Sequence, residues 1–157
     1  MDPPSPAVPT YAQARPLRGI RVLVVDDNRD VRDLIAAVLA AAAADVTTAD
    51  SAVRALEAVR TRRPDVLLCD LHMPGVDGFE LIHRLRSWER LNGPAPPIPA
   101  AAVSAYASLG QRLRHARDEF QAFLTKPVDP ETLVRTVLEL AGIRPRRNPP
   151  PHESADS

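Results

Sequence analysis

The sequence lacks the features that are typical of secreted and membrane proteins. Its 157 residues include one cysteine, Cys69, so a disulfide framework within the chain is excluded. No apolar run reaches the roughly 18 residues that a membrane-spanning helix needs. The first 16 residues contain no basic region followed by an apolar one, so no secretory signal is expected. We therefore expect a cytoplasmic protein in a reducing compartment.

Net charge is absent as well. The 20 basic and 20 acidic side chains balance, so bulk charge gives no reason to expect attraction to nucleic acid or to an anionic membrane. Only 15 residues follow Gly142, which is too few for a helix-turn-helix unit. Direct DNA binding is therefore not expected.

Proline, by contrast, is abundant and concentrates at both ends. Five of the 17 prolines lie in the first 16 residues, and four lie at or after Pro145. Segments this poor in apolar residues cannot bury a core. We expect disordered tails at 1–18 and 143–157, and one folded domain at 19–142.

Between the tails, five short apolar segments alternate with five helical patterns. The strand-like segments are 20–25, 45–49, 65–70, 98–105 and 121–127. The expected inward faces of the helices include Leu34, Val53, Ile82 and Leu138. A short polar helix is expected over 109–120. The expected N-caps are Asp50 or Ser51 for the second helix and Asp129 for the last. This alternation predicts an α/β fold with a parallel sheet covered by helices on both faces.

Polar residues stand where the predicted strands end. They are Asp26 and Asp27 after the first strand, Asp70 as the last residue of the third, Ser104 near the end of the fourth and Lys126 near the end of the fifth. In an open parallel sheet, the carboxyl ends of the strands share one edge, and ligands bind there. Carboxylates so close together raise one another's pKa or require a cation. Their oxygens suit Mg²⁺, and a lysine and a hydroxyl opposite them complete a phosphoryl site in which a carboxylate can be the nucleophile.

Four segments together carry a resemblance to a known family. They are "VLVVDD", "DVLLCDLHMPGVDGFEL", "AVSAYA" and "FLTKPVD". Over about residues 19–142, the chain resembles the CheY-like receiver domain of bacterial two-component response regulators. The resemblance implies a flavodoxin-like, doubly wound sheet of five parallel strands in the order 2-1-3-4-5, with five helices.

The resemblance also implies a role for each polar residue of the edge. Asp70 would accept a phosphoryl group from a histidine kinase. Asp26, Asp27, Asp70 and the main-chain carbonyl of His72 would hold Mg²⁺. Lys126 would pair with the phosphoryl oxygens.

Five positions match further features of this family, which concern switching, the backbone after the fifth strand and the lifetime of the phosphoryl group. Ser104 would bond the phosphoryl group, and Phe123 matches the aromatic switch position, although a static core role also suits it. In the family, a cis peptide bond often precedes the proline at position 127. The large side chains of His72 and Tyr106 would either shield the acyl phosphate or orient water. Glycines common in the family are replaced by alanine after the first helix and by Glu119 before the last strand.

The function expected from the resemblance is that of a single-domain response regulator in a phosphorelay. It would be a phosphoryl acceptor with slow autodephosphorylation rather than an enzyme. Its partners would be a sensor histidine kinase or phosphotransfer protein and a downstream protein, with no membrane contact, and it would be a monomer or a phosphorylation-dependent dimer. The alternative is a degenerate receiver that acts as an interaction module without phosphorylation, and an origin within a hybrid kinase stays open.

Two other classes with related features fit the sequence poorly. Haloacid-dehalogenase-like phosphatases also use a strand-end aspartate and Mg²⁺, but they need a second aspartate two residues on, where this chain has His72. A nucleotide-binding module would need a glycine-rich loop after the first strand, and none is present.

Overall fold

The computed structural model describes residues 14–105 and 118–142. Its strands are β1 (Arg21–Val25), β2 (Asp45–Ala49), β3 (Val66–Asp70), β4 (Ala100–Ser104) and β5 (Ala122–Thr125). Its helices are α1 (Arg29–Ala41), α2 (Ala52–Thr61), α3 (Gly78–Leu91) and α4 (Pro130–Ala141).

The strands form one parallel sheet in the order β2-β1-β3-β4-β5. In the centre, Val22 of β1 is opposite Val46 of β2 on one side and Val66 of β3 on the other. The chain reverses its direction of travel across the sheet between β1 and β3, so the switch point lies at their carboxyl ends. The flavodoxin-like fold predicted from the sequence is confirmed.

Two apolar layers cover the sheet, one on each face. On the first face, α2 and α3 pack on residues that include Leu23, Leu67 and Ala100. On the second face, α1 and α4 pack on residues that include Val22, Leu68 and Val103. Because β3 and β4 are buried along their whole length, the polar residues at their carboxyl ends, Asp70 and Ser104, are buried as well.

Side-chain caps fix where the helices begin. Asn28 caps α1 and Asp77 caps α3, each by accepting the N–H of the residue three positions on. Of the two candidates before α2, the cap is Ser51, whose hydroxyl accepts the N–H of Arg54 at 3.2 Å. Asp129 caps α4 as predicted, with Pro130 in the first turn.

Three residues predicted to face inward are instead exposed. Leu34 in α1, Val53 in α2 and Leu138 in α4 are 66%, 59% and 46% exposed. The stripe of a helix that faces a sheet covers only three or four positions in two turns, so apolar residues beside it stay in solvent. Ile82 in α3 is fully buried, as predicted.

The described residues contain four helices, whereas five were predicted. Most of the predicted polar helix at 109–120 lies outside the described residues, as does Tyr106, and residues 118 and 119 form a turn. The predicted C-terminal tail also lies outside. Within the predicted N-terminal tail, Leu17 is fully buried and donates its N–H to the carbonyl of Ala42 at 2.9 Å. The exact domain boundaries stay a prediction, but Leu17 packs with the folded part.

The alanine-rich end of α1 adopts a backbone conformation that is usual for glycine. Ala43 has a left-handed backbone with φ of 76°. Its N–H donates to Ala40, and the N–H of Ala44 reaches back to the carbonyl of Leu39. This is a Schellman ending, in which the left-handed position is usually glycine. The helix therefore ends as it would with glycine, and Ala43 carries the strain.

Candidate functional site

Asp26 lies directly after β1, at the switch point of the sheet, and is almost completely buried. One carboxylate oxygen accepts the N–H of Asn28 at 2.9 Å, and the other accepts a hydrogen bond from the Lys126 ammonium at 2.9 Å. The guanidinium of Arg32 donates to the main-chain carbonyl of Asp26 at 2.9 Å. Asp26 is therefore held on both its side chain and its backbone.

Asp70 is the last residue of β3, and its side chain is also buried. One of its oxygens accepts the N–H of His72 at 3.2 Å and lies 3.4 Å from the ammonium of Lys126. Burial and the negative charge of Asp26 raise the pKa of Asp70 from 3.8 to about 6, despite the opposing effects of the His72 N–H and Lys126. Asp70 is still mostly ionised at neutral pH, but the His72 N–H and Lys126 only partly offset the cost of burying its negative charge beside Asp26.

Asp27 completes a cluster of three carboxylates. It is exposed, and ligand oxygens from Asp26, Asp27 and Asp70 lie within 4.8 Å of one another. A set of carboxylate oxygens with one member open to solvent matches the way Mg²⁺ binds, through a few carboxylates and retained water. The Lys126 ammonium is shared between Asp26 and Asp70, so the three carboxylates carry more negative charge than this lysine balances, and these residues fit a divalent cation.

Lys126 brings a positive charge to the cluster from the end of β5, an edge strand of the sheet. It follows β5, and its main-chain N–H donates to the carbonyl of Ser104 at 2.7 Å. Burial lowers the pKa of Lys126, but the neighbouring Asp26 and Asp70 outweigh this effect and leave the pKa raised. The ammonium therefore stays protonated at neutral pH. The peptide bond between Lys126 and Pro127 is cis.

The other predicted site residues that the structure describes are Ser104, His72 and Phe123. Ser104, the last residue of β4, is buried. His72 is exposed in the loop after β3. Phe123 on β5 is 40% exposed, and its ring packs edge-on against Phe120, with centroids 5.9 Å apart.

Cys69 precedes Asp70 and is fully buried. Burial, followed by the charges of Asp70 and Asp26, raises the pKa of its thiol. The thiol therefore stays protonated, and this agrees with an inert role in the core.

Two contributors to the site were not predicted from the sequence. Arg32 looks like an ordinary charged helix residue, yet it holds the carbonyl of Asp26. Gly78, the first residue of α3, lies so close to β3 that an added Cβ would be 2.3 Å from the carbonyl oxygen of Asp70. The glycine directly after the Asp77 cap is the one sequence signal that could have indicated such a close approach.

The chain matches the response regulator receiver domain family over residues 22–138. It belongs to that family. The receiver domain is also similar to an uncharacterized 14.6 kDa protein of Leptolyngbya boryana, with 42% identity over 118 residues that cover 75% of this chain and 87% of that protein.

Larger relatives contain a similar segment. The sensor histidine kinase GacS of Pseudomonas protegens is 32% identical over 137 residues, which cover 87% of this chain but 15% of the kinase. The DNA-binding transcriptional regulator NtrC of Escherichia coli is 32% identical over 120 residues, or 76% of this chain and 24% of the regulator. The receiver domain thus spans a small part of these relatives.

Solved structures share this fold. The chemotaxis protein CheY4 of Vibrio cholerae has a TM-score of 0.68 with 27% identity, covering 77% of this chain and 98% of that chain. The receiver domain of NarL from Mycobacterium tuberculosis has a TM-score of 0.70 with 29% identity, covering 81% and 99%. Among residues 14–105 and 118–142, no helix combines the length and apolar character needed to cross a membrane.

Proposed function

We propose that this receiver domain accepts a phosphoryl group on Asp70 from a phosphohistidine of a sensor kinase or a phosphotransfer protein. The observation that carries the proposal is the placement of the buried Asp70 carboxylate within 4.8 Å of two other carboxylates and 3.4 Å from the Lys126 ammonium. A carboxylate nucleophile needs positive groups on both sides of the incoming phosphoryl oxygens. A cation held by the acidic cluster and the ammonium of Lys126 would supply them.

The chemistry is a single displacement at phosphorus. A lone pair on an Asp70 oxygen attacks, the bond from phosphorus to the donor histidine nitrogen breaks, and its electrons return to the ring. Because the other ring nitrogen carries a proton, the donor leaves as neutral imidazole and Asp70 becomes an acyl phosphate. A Mg²⁺ ion held by Asp26, Asp27, Asp70 and the carbonyl of His72 would neutralise charge on the phosphoryl oxygens.

Lys126 and Ser104 are the groups that we propose sense the product. Lys126 would turn from its pair with Asp26 toward the new phosphoryl oxygens, since these carry more charge than the Asp70 oxygen they replace. Ser104, at the end of β4, would donate its hydroxyl to the same group. Phe123, which begins partly exposed on β5, would follow this movement and alter the surface offered to a downstream protein.

The functional unit that we propose is residues 19–142, acting through protein contacts in a phosphorelay. Its own chemistry would be limited to accepting the phosphoryl group and losing it slowly to water. Its oligomeric state would be a monomer or a dimer formed on phosphorylation.

The test is the intact mass after incubation with acetyl phosphate, with and without Mg²⁺. We expect the wild-type chain to gain one phosphoryl group only when Mg²⁺ is present, and Asp70→Asn to gain none. A matched variant is Asp30→Asn, which changes an exposed carboxylate in the first turn of α1 and should behave as wild type. No gain in a folded wild-type chain, either with acetyl phosphate or with a phosphorylated kinase, would favour the phosphorylation-independent interaction module.

A further inference from the structure

Arg86 of α3 is a buried arginine with contacts far from the acidic cluster. Its Nη1 donates to the Glu89 carboxylate and to the main-chain carbonyl of Ile98, both at 2.8 Å. Its Nε and Nη2 donate to the carbonyl of Glu119 at 3.2 and 2.6 Å. One planar guanidinium thus ties α3 to the segments that lead into β4 and β5.

Glu89 has a more local role than Arg86. Its second oxygen accepts the N–H of Ile98 at 2.7 Å, and Arg63 lies 3.9 Å away. The Arg86–Glu89 pair therefore secures the start of β4, where both charges are buried and compensated. Only the arginine extends to Glu119, a residue 33 positions later in the chain.

The segment held by Arg86 leads directly to the proposed switch aromatic. Glu119 is followed by Phe120, which is buried in the core. The Phe120 ring lies edge-on to Phe123, at 63° between the ring planes. Gln121, which follows Phe120, donates its N–H to the carbonyl of Ala100 and accepts the N–H of Ala100 on its side-chain oxygen, both at 2.8 Å. A short series of hydrogen bonds and packed side chains therefore runs from the guanidinium to the Phe123 ring.

We propose that Arg86 is a positioning residue for the switch. By holding the carbonyl of Glu119, it fixes Phe120 and thereby the resting position of the Phe123 ring. This inference rests on the proposed function in one respect, since it takes Phe123 to be the residue that moves on switching. Glu89, in contrast, contributes to stability without positioning the ring.

Two conservative variants separate positioning from stability. Arg86→Lys keeps a positive charge beside Glu89, but a single ammonium cannot reach Glu89, Ile98 and Glu119 in one plane as the guanidinium does. Glu89→Gln removes the charge of the partner and leaves the guanidinium on Glu119. Both should lower the free energy of unfolding, because both disturb a buried ion pair.

The readout is the nuclear Overhauser effect between the rings of Phe120 and Phe123 in the unphosphorylated protein. The chain has three phenylalanines, so the ring signals can be assigned by substitution. We expect the effect to be lost in Arg86→Lys and retained in Glu89→Gln. Retention in Arg86→Lys, or equal loss in both variants, would overturn the proposal.

A double variant keeps the test decisive if the single lysine variant does not fold. Arg86→Leu with Glu89→Leu removes both charges together, a change that buried pairs tolerate far better than loss of one partner. We expect the same loss of the ring contact, and its persistence would refute the positioning role. Because every measurement uses the unphosphorylated chain, the result does not depend on whether Asp70 accepts a phosphoryl group.

Discussion

The ammonium nitrogen of Lys126 lies 2.9 Å from a carboxylate oxygen of Asp26, a residue 100 positions earlier in the chain. The same nitrogen is 3.4 Å from Asp70. One cation supplied by the chain is therefore shared between two buried carboxylates. This arrangement leaves the charge of the Asp70 carboxylate only partly compensated.

Asp27→Asn should weaken Mg²⁺ binding about tenfold or more, because the cluster loses one of its three charged ligands. Isothermal titration with MgCl₂ measures the effect. Asp30→Asn is the matched control, since Asp30 is exposed in the first turn of α1 and stands outside the cluster. Equal affinities for the two variants would remove Asp27 from the metal site.

Asp70→Asn should stabilise the metal-free protein at neutral pH. The pKa of Asp70 is about 6 in the folded chain against an ordinary value of 3.8, so the folded state binds the proton more tightly than the unfolded state. Stability therefore falls as pH rises from about 4 to 6, and the full penalty, up to about 3 kcal/mol, is present above that window. The asparagine variant lacks this penalty.

Urea unfolding at pH 4 and pH 7 without Mg²⁺ checks this prediction. The advantage of Asp70→Asn should be present at pH 7 and small at pH 4, and saturating Mg²⁺ should reduce it. Asp33→Asn, an exposed carboxylate in α1, should show no comparable gain. An advantage of the same size at both pH values would contradict the account.

Gly78→Ala should destabilise the protein by about 1–3 kcal/mol, since its Cβ would stand 2.3 Å from the Asp70 carbonyl and α3 would have to move away. The shift would displace Asp70, the proposed acceptor, so phosphorylation should also slow. Chemical denaturation and intact mass measure the two effects. Gly142→Ala, where the nearest atom would be 3.3 Å away, should be close to neutral, and a similar result at Gly78 would disprove the close packing.

The sequence was sufficient to predict the central cluster but not its surroundings. An apolar strand that runs into an acid marks a carboxyl end, and parallel strands bring those ends together, so Asp26, Asp70 and Lys126 could be predicted to meet. The roles of Arg32 and Arg86 could not be predicted, because each depends on main-chain carbonyls that only the tertiary fold brings near. Leu34 was placed on the wrong face because apolar spacing does not show where the buried stripe ends.

Ala43→Gly should stabilise the protein by about 0.5–1 kcal/mol, because an alanine at φ of 76° carries a strain that glycine does not. Thermal unfolding measures the change. Ala37→Gly, at an exposed position inside α1, should instead cost about 1 kcal/mol. A loss of stability in both variants would show that Ala43 is not strained.

The most direct test of the central claim is to locate the phosphoryl group on the chain. After incubation with acetyl phosphate and Mg²⁺, borohydride reduces an acyl phosphate of aspartate to homoserine, which tandem mass spectrometry of peptides can place at a single residue. We predict homoserine at position 70 in the wild-type chain and none in Asp70→Asn. Homoserine at position 26 or 27, or its persistence in Asp70→Asn, would contradict the assignment of Asp70 as the acceptor.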